Sequence, residues 1–85
     1  MKLELRFFAS LREALGTSQE TIEIPETVKT VSQLRAYLIA RGGVWAEALA
    51  EGKPLRCALD QIMVDANAVL TDGAEVAFFP PVTGG

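Results

Sequence analysis

The residues best equipped for chemistry in this chain are its last two. Gly84 and Gly85 close an 85-residue sequence, and Gly85 carries a carboxylate with no side chain around it. Glycine lets a backbone enter a slot too narrow for any Cβ. A carboxylate presented in that way is a group that an ATP-using partner can adenylate. Pro80 and Pro81 precede them, followed by Val82 and Thr83. Proline holds φ fixed and favours extended geometry, so residues 80–85 are expected to project as a tail. The competing reading is a frayed chain end, the usual fate of termini.

Most other chemistry is excluded by composition. There is no histidine, which removes histidine acid–base catalysis, Ser-His-Asp triads and histidine metal sites. One cysteine, Cys57, excludes an internal disulfide and any multi-cysteine metal cluster. It sits in an apolar strand pattern and reads as a packed thiol, because a reactive cysteine wants a cationic or helix-start setting. Eight Lys+Arg against eleven Asp+Glu, net −3, provide no footprint for nucleic acid. No apolar run approaches the ~18 residues of a membrane span. Charges at Lys2, Glu4 and Arg6 occupy the place where a signal peptide needs its apolar core. The chain reads as cytoplasmic and not catalytic by itself. With no Gly-x4-Gly-Lys-[Ser/Thr] loop and no Gly-x-Gly-x-x-Gly turn, any ATP site must belong to a partner.

The elements that must position the tail follow from periodicity. Leu3, Leu5 and Phe7 alternate with Lys2, Glu4 and Arg6, the pattern of a half-buried strand over residues 2–8. Ser10-Leu11-Arg12-Glu13 matches a capping box and Gly16 a helix stop, predicting a short helix over residues 11–15. Ile22 and Ile24 mark a second strand over residues 21–24, ended by Pro25. Its acidic neighbours Glu20, Glu23 and Glu26 read as a solvated edge. Thr30 to Gln33 is a second capping box, opening the longest helix, whose apolar face is Val31, Leu34 and Leu38 and ends at Arg41. Gly42-Gly43 stops that helix. A short one is expected over residues 45–51, closed by Gly52, with Trp45 and Leu49 inward. Residues 56–60 and 61–64 read as strands about a tight turn. Thr71-Asp72-Gly73 is a turn, and Glu75–Phe79 the last strand, stopped by Pro80.

The order β, α, β, α, α, β, β, β predicts an α+β domain over residues 1–79, a mixed sheet packed on one main helix. Residues 80–85 follow as the extended tail.

Phe7-Phe8-Ala9 with Leu11-Arg12-Glu13 and Gly16, and then the block from Leu70 through Phe78-Phe79-Pro80-Pro81-Val82-Thr83-Gly84-Gly85, resemble the small-subunit family of molybdopterin synthase, sulfur carriers of the MoaD type. The likeness runs over nearly the whole chain. It implies a β-grasp (ubiquitin-like) fold. It also implies that Gly85 is adenylated with ATP by a ubiquitin-activating-like adenylyltransferase, then converted by a sulfur donor into a thiocarboxylate. In the family the tail enters the large synthase subunit and gives its sulfur to cyclic pyranopterin monophosphate, two deliveries building the molybdopterin dithiolene. The implied assembly is a heterotetramer of two small and two large subunits, with no cofactor held by the small one. Two positions depart from the family pattern. Asp60 stands where many relatives have Asn, which suits a tight turn equally well, and Ala74 where an acid is common.

Strand parity gives the partner surface. With Leu3, Leu5 and Phe7 facing the helix, Phe8 points the other way, and Val76 and Phe78 inward leave Ala77 and Phe79 outward. Ile62 and Val64 inward leave Met63 outward. Phe8, Met63 and Phe79 are therefore expected to form an exposed apolar patch beside the tail exit, continued by Pro80, Pro81, Val82 and Thr83. The competing arrangement tucks them under loops or the first helix. Other functions share the Gly-Gly end: sulfur carriage for thiamin or tRNA thiolation, or a ubiquitin-like modifier joined to lysines. A non-covalent β-grasp module and persulfide carriage on Cys57 complete the alternatives.

Overall fold

Residues 1–81 are described by the structure, a computed structural model. The first strand, β1 (Lys2–Phe7), follows its alternation: Leu3, Leu5 and Phe7 are buried, while Lys2 and Glu4 are exposed and Arg6 half-exposed. Helix α1 (Ala9–Leu15) comes directly after it, then β2 (Gln19–Glu23), α2 (Val31–Ile39), α3 (Gly43–Ala48), β3 (Arg56–Leu59), β4 (Ile62–Val64) and β5 (Glu75–Phe79). The strands form one mixed sheet in the order β2-β1-β5-β3-β4. β1 and β5 are parallel, and all the other pairings are antiparallel. The first and last strands thus lie side by side in the middle of the sheet, and the chain leaves the sheet from a central strand.

The helices cover one face. Val31, Leu34 and Leu38 of α2 join Leu3, Leu5, Phe7, Val76 and Phe78 of the sheet in a single buried cluster. The Thr30 capping box forms as expected: Gln33 N–H donates to Thr30 Oγ1 at 3.2 Å, and Thr30 N–H donates to Gln33 Oε1 at 3.2 Å. The Ser10 box does not form. Helix α1 starts two residues earlier than the pattern predicts, with Phe8 in extended conformation at its N-cap and no side-chain cap. The Phe8 carbonyl accepts from Leu11 and Arg12 at 3.1 and 3.4 Å, so Ser10 is already inside the first turn. Ala9 makes the junction at φ 52°, a left-handed conformation uncommon outside glycine.

Helix α3 is also displaced, spanning Gly43–Ala48 instead of residues 45–51. Gly42 and Gly43, at φ 77° and 54°, begin it as much as they end α2. The carbonyls that follow it are taken up by Arg35 instead of by a further helical turn. The guanidinium donates to Leu49 O at 2.7 Å and Lys53 O at 2.8 Å, and also to Ala50 O. Trp45 is half-buried, edge-on to Phe7 at 5.5 Å. The Arg41 guanidinium lies 4.4 Å over the Trp45 ring and hydrogen-bonds Glu20, which raises its pKa further.

At two positions parity holds but exposure does not follow it. Ile62 lies on the helix-facing side yet is 68% exposed, in β4, the edge strand, which pairs on one side only. Ala77 points away from the helices but is buried, a small side chain in register between Arg6 and Ala58. The tight turn between β3 and β4 is as expected. Asp60 and Gln61 both have positive φ, 46° and 69°, the geometry that matches the twist of a two-residue hairpin. Asp60 also ties this turn to β5, its carboxylate accepting from Glu75 N–H at 3.0 Å.

Candidate functional site at the tail exit

The end of β5 brings the aromatic residues together. Phe8 N–H donates to Phe78 O at 3.3 Å, which continues the β1–β5 ladder by one residue and fixes the Phe8 backbone beside the strand. The left-handed turn at Ala9 then carries the chain away into α1, leaving the Phe8 ring on the face opposite the helices. It meets Phe79 edge to face, with centroids 6.4 Å apart and planes at 84°. Phe8 is 42% exposed, and Phe79 is half-buried.

Met63 stands further along the same face. Ala77 pairs with Ala58 across β5 and β3, and Ala58 with Met63 across β3 and β4. Since directly opposed residues share a face, these two alanines form a low floor from Phe79 toward the exposed Met63. Phe8 and Phe79 touch, whereas Met63 belongs to the patch through this floor. Parity located the three large side chains. The floor needed the strand order, which the sequence pattern does not supply.

Arg6 and Arg56 were absent from the expected surface. The Arg6 guanidinium lies 6.0 Å from the Phe8 ring centroid and 3.8 Å from the Glu75 carboxylate. Arg56 pairs with Phe79 in the β3–β5 register and is exposed. Pro80 and Pro81 are half-buried and line a groove of about 400 Å³ together with Leu11, Lys53, Pro54 and Leu55. Val82, Thr83, Gly84 and Gly85 lie outside the described residues.

Cys57 is a packed thiol. It faces the helical layer, is 7% exposed and lines a cavity of about 220 Å³ with Val31, Arg35 and Phe78. Burial pushes its pKa up to about 11, so at neutral pH almost none of it is the nucleophilic thiolate. Among the described residues no group of three or more Asp, Glu or Cys side chains is placed to hold a metal. No helix among them is long and apolar enough to cross a membrane.

The model of the ThiS family matches residues 5–85. The chain belongs to that family. A curated relative, the molybdopterin synthase sulfur carrier subunit of Escherichia coli K12, is 46% identical over 83 residues, covering 98% of this chain and 99% of its own. Small archaeal modifier protein 3 of Haloferax volcanii is 33% identical over the full length of both chains. Among solved structures, one chain in the complex of subunits 1 and 2 of the molybdopterin-converting factor from Helicobacter pylori superposes with a TM-score of 0.67. It is 28% identical, with 100% of each chain covered. The resemblance to the sulfur-carrier subunits holds, and the fold is the ubiquitin-like β-grasp of the ThiS family.

Proposed function

We propose that this chain is a covalent sulfur carrier and the small subunit of a molybdopterin synthase. In this reading the Gly85 carboxylate attacks ATP held by a separate adenylyltransferase, releasing pyrophosphate and leaving an acyl-adenylate. The adenylate gives the carboxyl carbon a good leaving group, so a sulfur donor displaces AMP and leaves a C-terminal thiocarboxylate. Gly84 and Gly85 let the tail enter a narrow channel in the large subunit. There the sulfur passes to cyclic pyranopterin monophosphate, in two deliveries per dithiolene. The chain binds no cofactor, and ATP is used by the activating partner. The assembly is a cytoplasmic heterotetramer.

The observation that carries this reading is the 46% identity, over 98% of the chain, to a molybdopterin synthase sulfur carrier subunit. The surface at the end of β5 supports it. Phe8 and Phe79 touch beside the point where the chain leaves a central strand, with Met63 further along the same face; in this reading they and residues 80–83 contact the partner. Exposed aromatics and methionine gathered at one place suit an interface.

Intact mass after incubation with ATP, the activating enzyme and a sulfur donor tests it. The expected gain equals the exchange of one oxygen for sulfur, and it is lost on deleting Gly85. No gain with a demonstrably active enzyme removes the carrier reading. A second reading, a ubiquitin-like protein modifier, is favoured by the full-length match to an archaeal modifier protein. It requires isopeptide conjugates to lysines in cells, detected as a ladder above the free protein. The thiamin and tRNA-thiolation carriers are separated from the leading reading by binding to a synthase large subunit.

A further inference from the structure

The chain is acidic overall, net −3, yet its charge is divided along the outer face of the sheet. Glu4, Glu23 and Glu75 lie toward the end where β1 and β5 begin, three carboxylates against the single cationic side chain of Lys2, which pairs with Glu23 in the β1–β2 register. Arg6 and Arg56 lie toward the end where those strands finish, beside Phe8 and Phe79. Of the five arginines in the chain, Arg35 is held by backbone carbonyls and Arg41 by Glu20 and Trp45, and Arg12 is exposed on α1, off the sheet. Arg6 keeps only the long 3.8 Å contact to Glu75, with 42% of its side chain exposed. Arg56 makes no ion pair among the described residues. Asp65 and Glu51 share a cavity wall with it without pairing to it, and Asp65 accepts from Asn67 N–H at 2.8 Å. Folding therefore leaves these two guanidinium groups without strong partners while placing them on either side of a partly exposed aromatic pair.

We infer that Arg6 and Arg56 form a cationic rim around the Phe8–Phe79 patch, and that the partner protein receiving the tail presents an apolar centre flanked by carboxylates to it. This rests on the proposed carrier function and adds the chemistry of the docking surface. Both positions are partly solvated, so the rim acts mainly on the rate and orientation of encounter, and salt screens it. The aromatic centre supplies the salt-independent part of the affinity.

The test is a binding titration of the large synthase subunit against wild type, the Arg6→Gln/Arg56→Gln double variant and the Arg6→Lys/Arg56→Lys double variant. Each is measured at low and at high ionic strength. The glutamine variant is expected to bind about tenfold more weakly at low salt, with the gap closing to within about twofold at ~0.5 M salt. The lysine variant keeps the charge and should retain most of the wild-type affinity at low salt. All three proteins should melt at the same temperature. Equal binding by wild type and glutamine variant at low salt overturns the rim, as does a loss that is unchanged by salt. Absence of wild-type binding overturns the synthase-subunit reading, and the rim with it, while the thiocarboxylate mass gain still decides sulfur carriage separately. Tight binding of a labelled single-stranded oligonucleotide would also overturn it, because the arginines would then be reading phosphate.

Discussion

On the helix side of β5, Val76 and Phe78 are 0% and 1% exposed, stacked with Phe7 beneath α2 and α3. On the other side, Phe79 shares a partly open surface with Phe8, Ala77, Ala58 and Met63. The two faces use the same strands and similar residue types, but only one is covered by the protein's own helices. Burial of Phe78 is required for folding, since a domain this small has little core to spare. Exposure of Phe8 and Met63 does nothing for folding and carries an aggregation liability. The outer face is therefore best explained by something the fold does not contain, a partner that covers it.

Substitutions on adjacent residues of one strand separate the two roles most strongly. Phe78→Ala removes a ring from the closed core and is expected to cost about 3–5 kcal/mol, read by chemical denaturation. Phe79→Asp should cost under about 1 kcal/mol, because the position is half-open and a charge there stays hydrated. The same change should weaken binding to the large subunit by about a hundredfold, as a charge set among hot-spot aromatics does. If Phe79→Asp unfolds the protein, the outer face belongs to the core. If it binds normally, the face is not an interface.

Thiol chemistry reads the same contrast at a smaller scale. Cys57 lies on the covered face with its pKa near 11, so at pH 8 its thiolate fraction is about a hundredfold below that of an ordinary thiol. Alkylation should be slower by at least that factor. In a Cys57→Ser background, Phe79→Cys should react at a near-normal rate. The raised folded-state pKa also sets a stability trend. The neutral thiol is favoured in the fold, so its contribution is complete below pH about 9 and is lost as pH rises through about 11. Cys57→Ala should flatten that part of the stability profile. A fast-reacting Cys57 would mean that the helical layer opens readily over β3.

The sequence carries these elements unequally. Period-2 alternation located Leu3, Leu5, Phe7, Val76 and Phe78 on the covered face, and the outward positions of Phe8, Met63 and Phe79, because parity is local. Exposure is not local. Ile62 has inward parity yet is open, since its strand forms the sheet edge, and Ala77 has outward parity yet is closed by Arg6 and Ala58 in register. Pairing across the strands also makes Arg56 a neighbour of Phe79, 23 positions away along the chain. The segment after α3 is tied by Arg35 reaching the carbonyls of Leu49, Ala50 and Lys53, a long-range contact with no periodic signature. The glycines and prolines of residues 80–85 stand out by composition, because they carry their backbone preferences wherever they stand.

The two capping-box patterns supply the smallest contrast. Thr30 and Ser10 head the same motif, but only Thr30 accepts a hydrogen bond from the backbone N–H three residues on. Thr30→Ala should therefore cost about 1 kcal/mol, loosening α2, the helix whose Val31, Leu34 and Leu38 close the covered face. Ser10→Ala should change stability by less than about 0.5 kcal/mol, since the side chain caps nothing and is exposed on a helix that alanine favours. Amide exchange in α2 should speed up in the first variant only, and neither variant should alter binding to the large subunit. A comparable loss from both would mean that α1 is capped from Ser10 in solution. Phe8 would then no longer be held at the junction that turns its ring onto the open face, and the aromatic pair there would lose its structural basis.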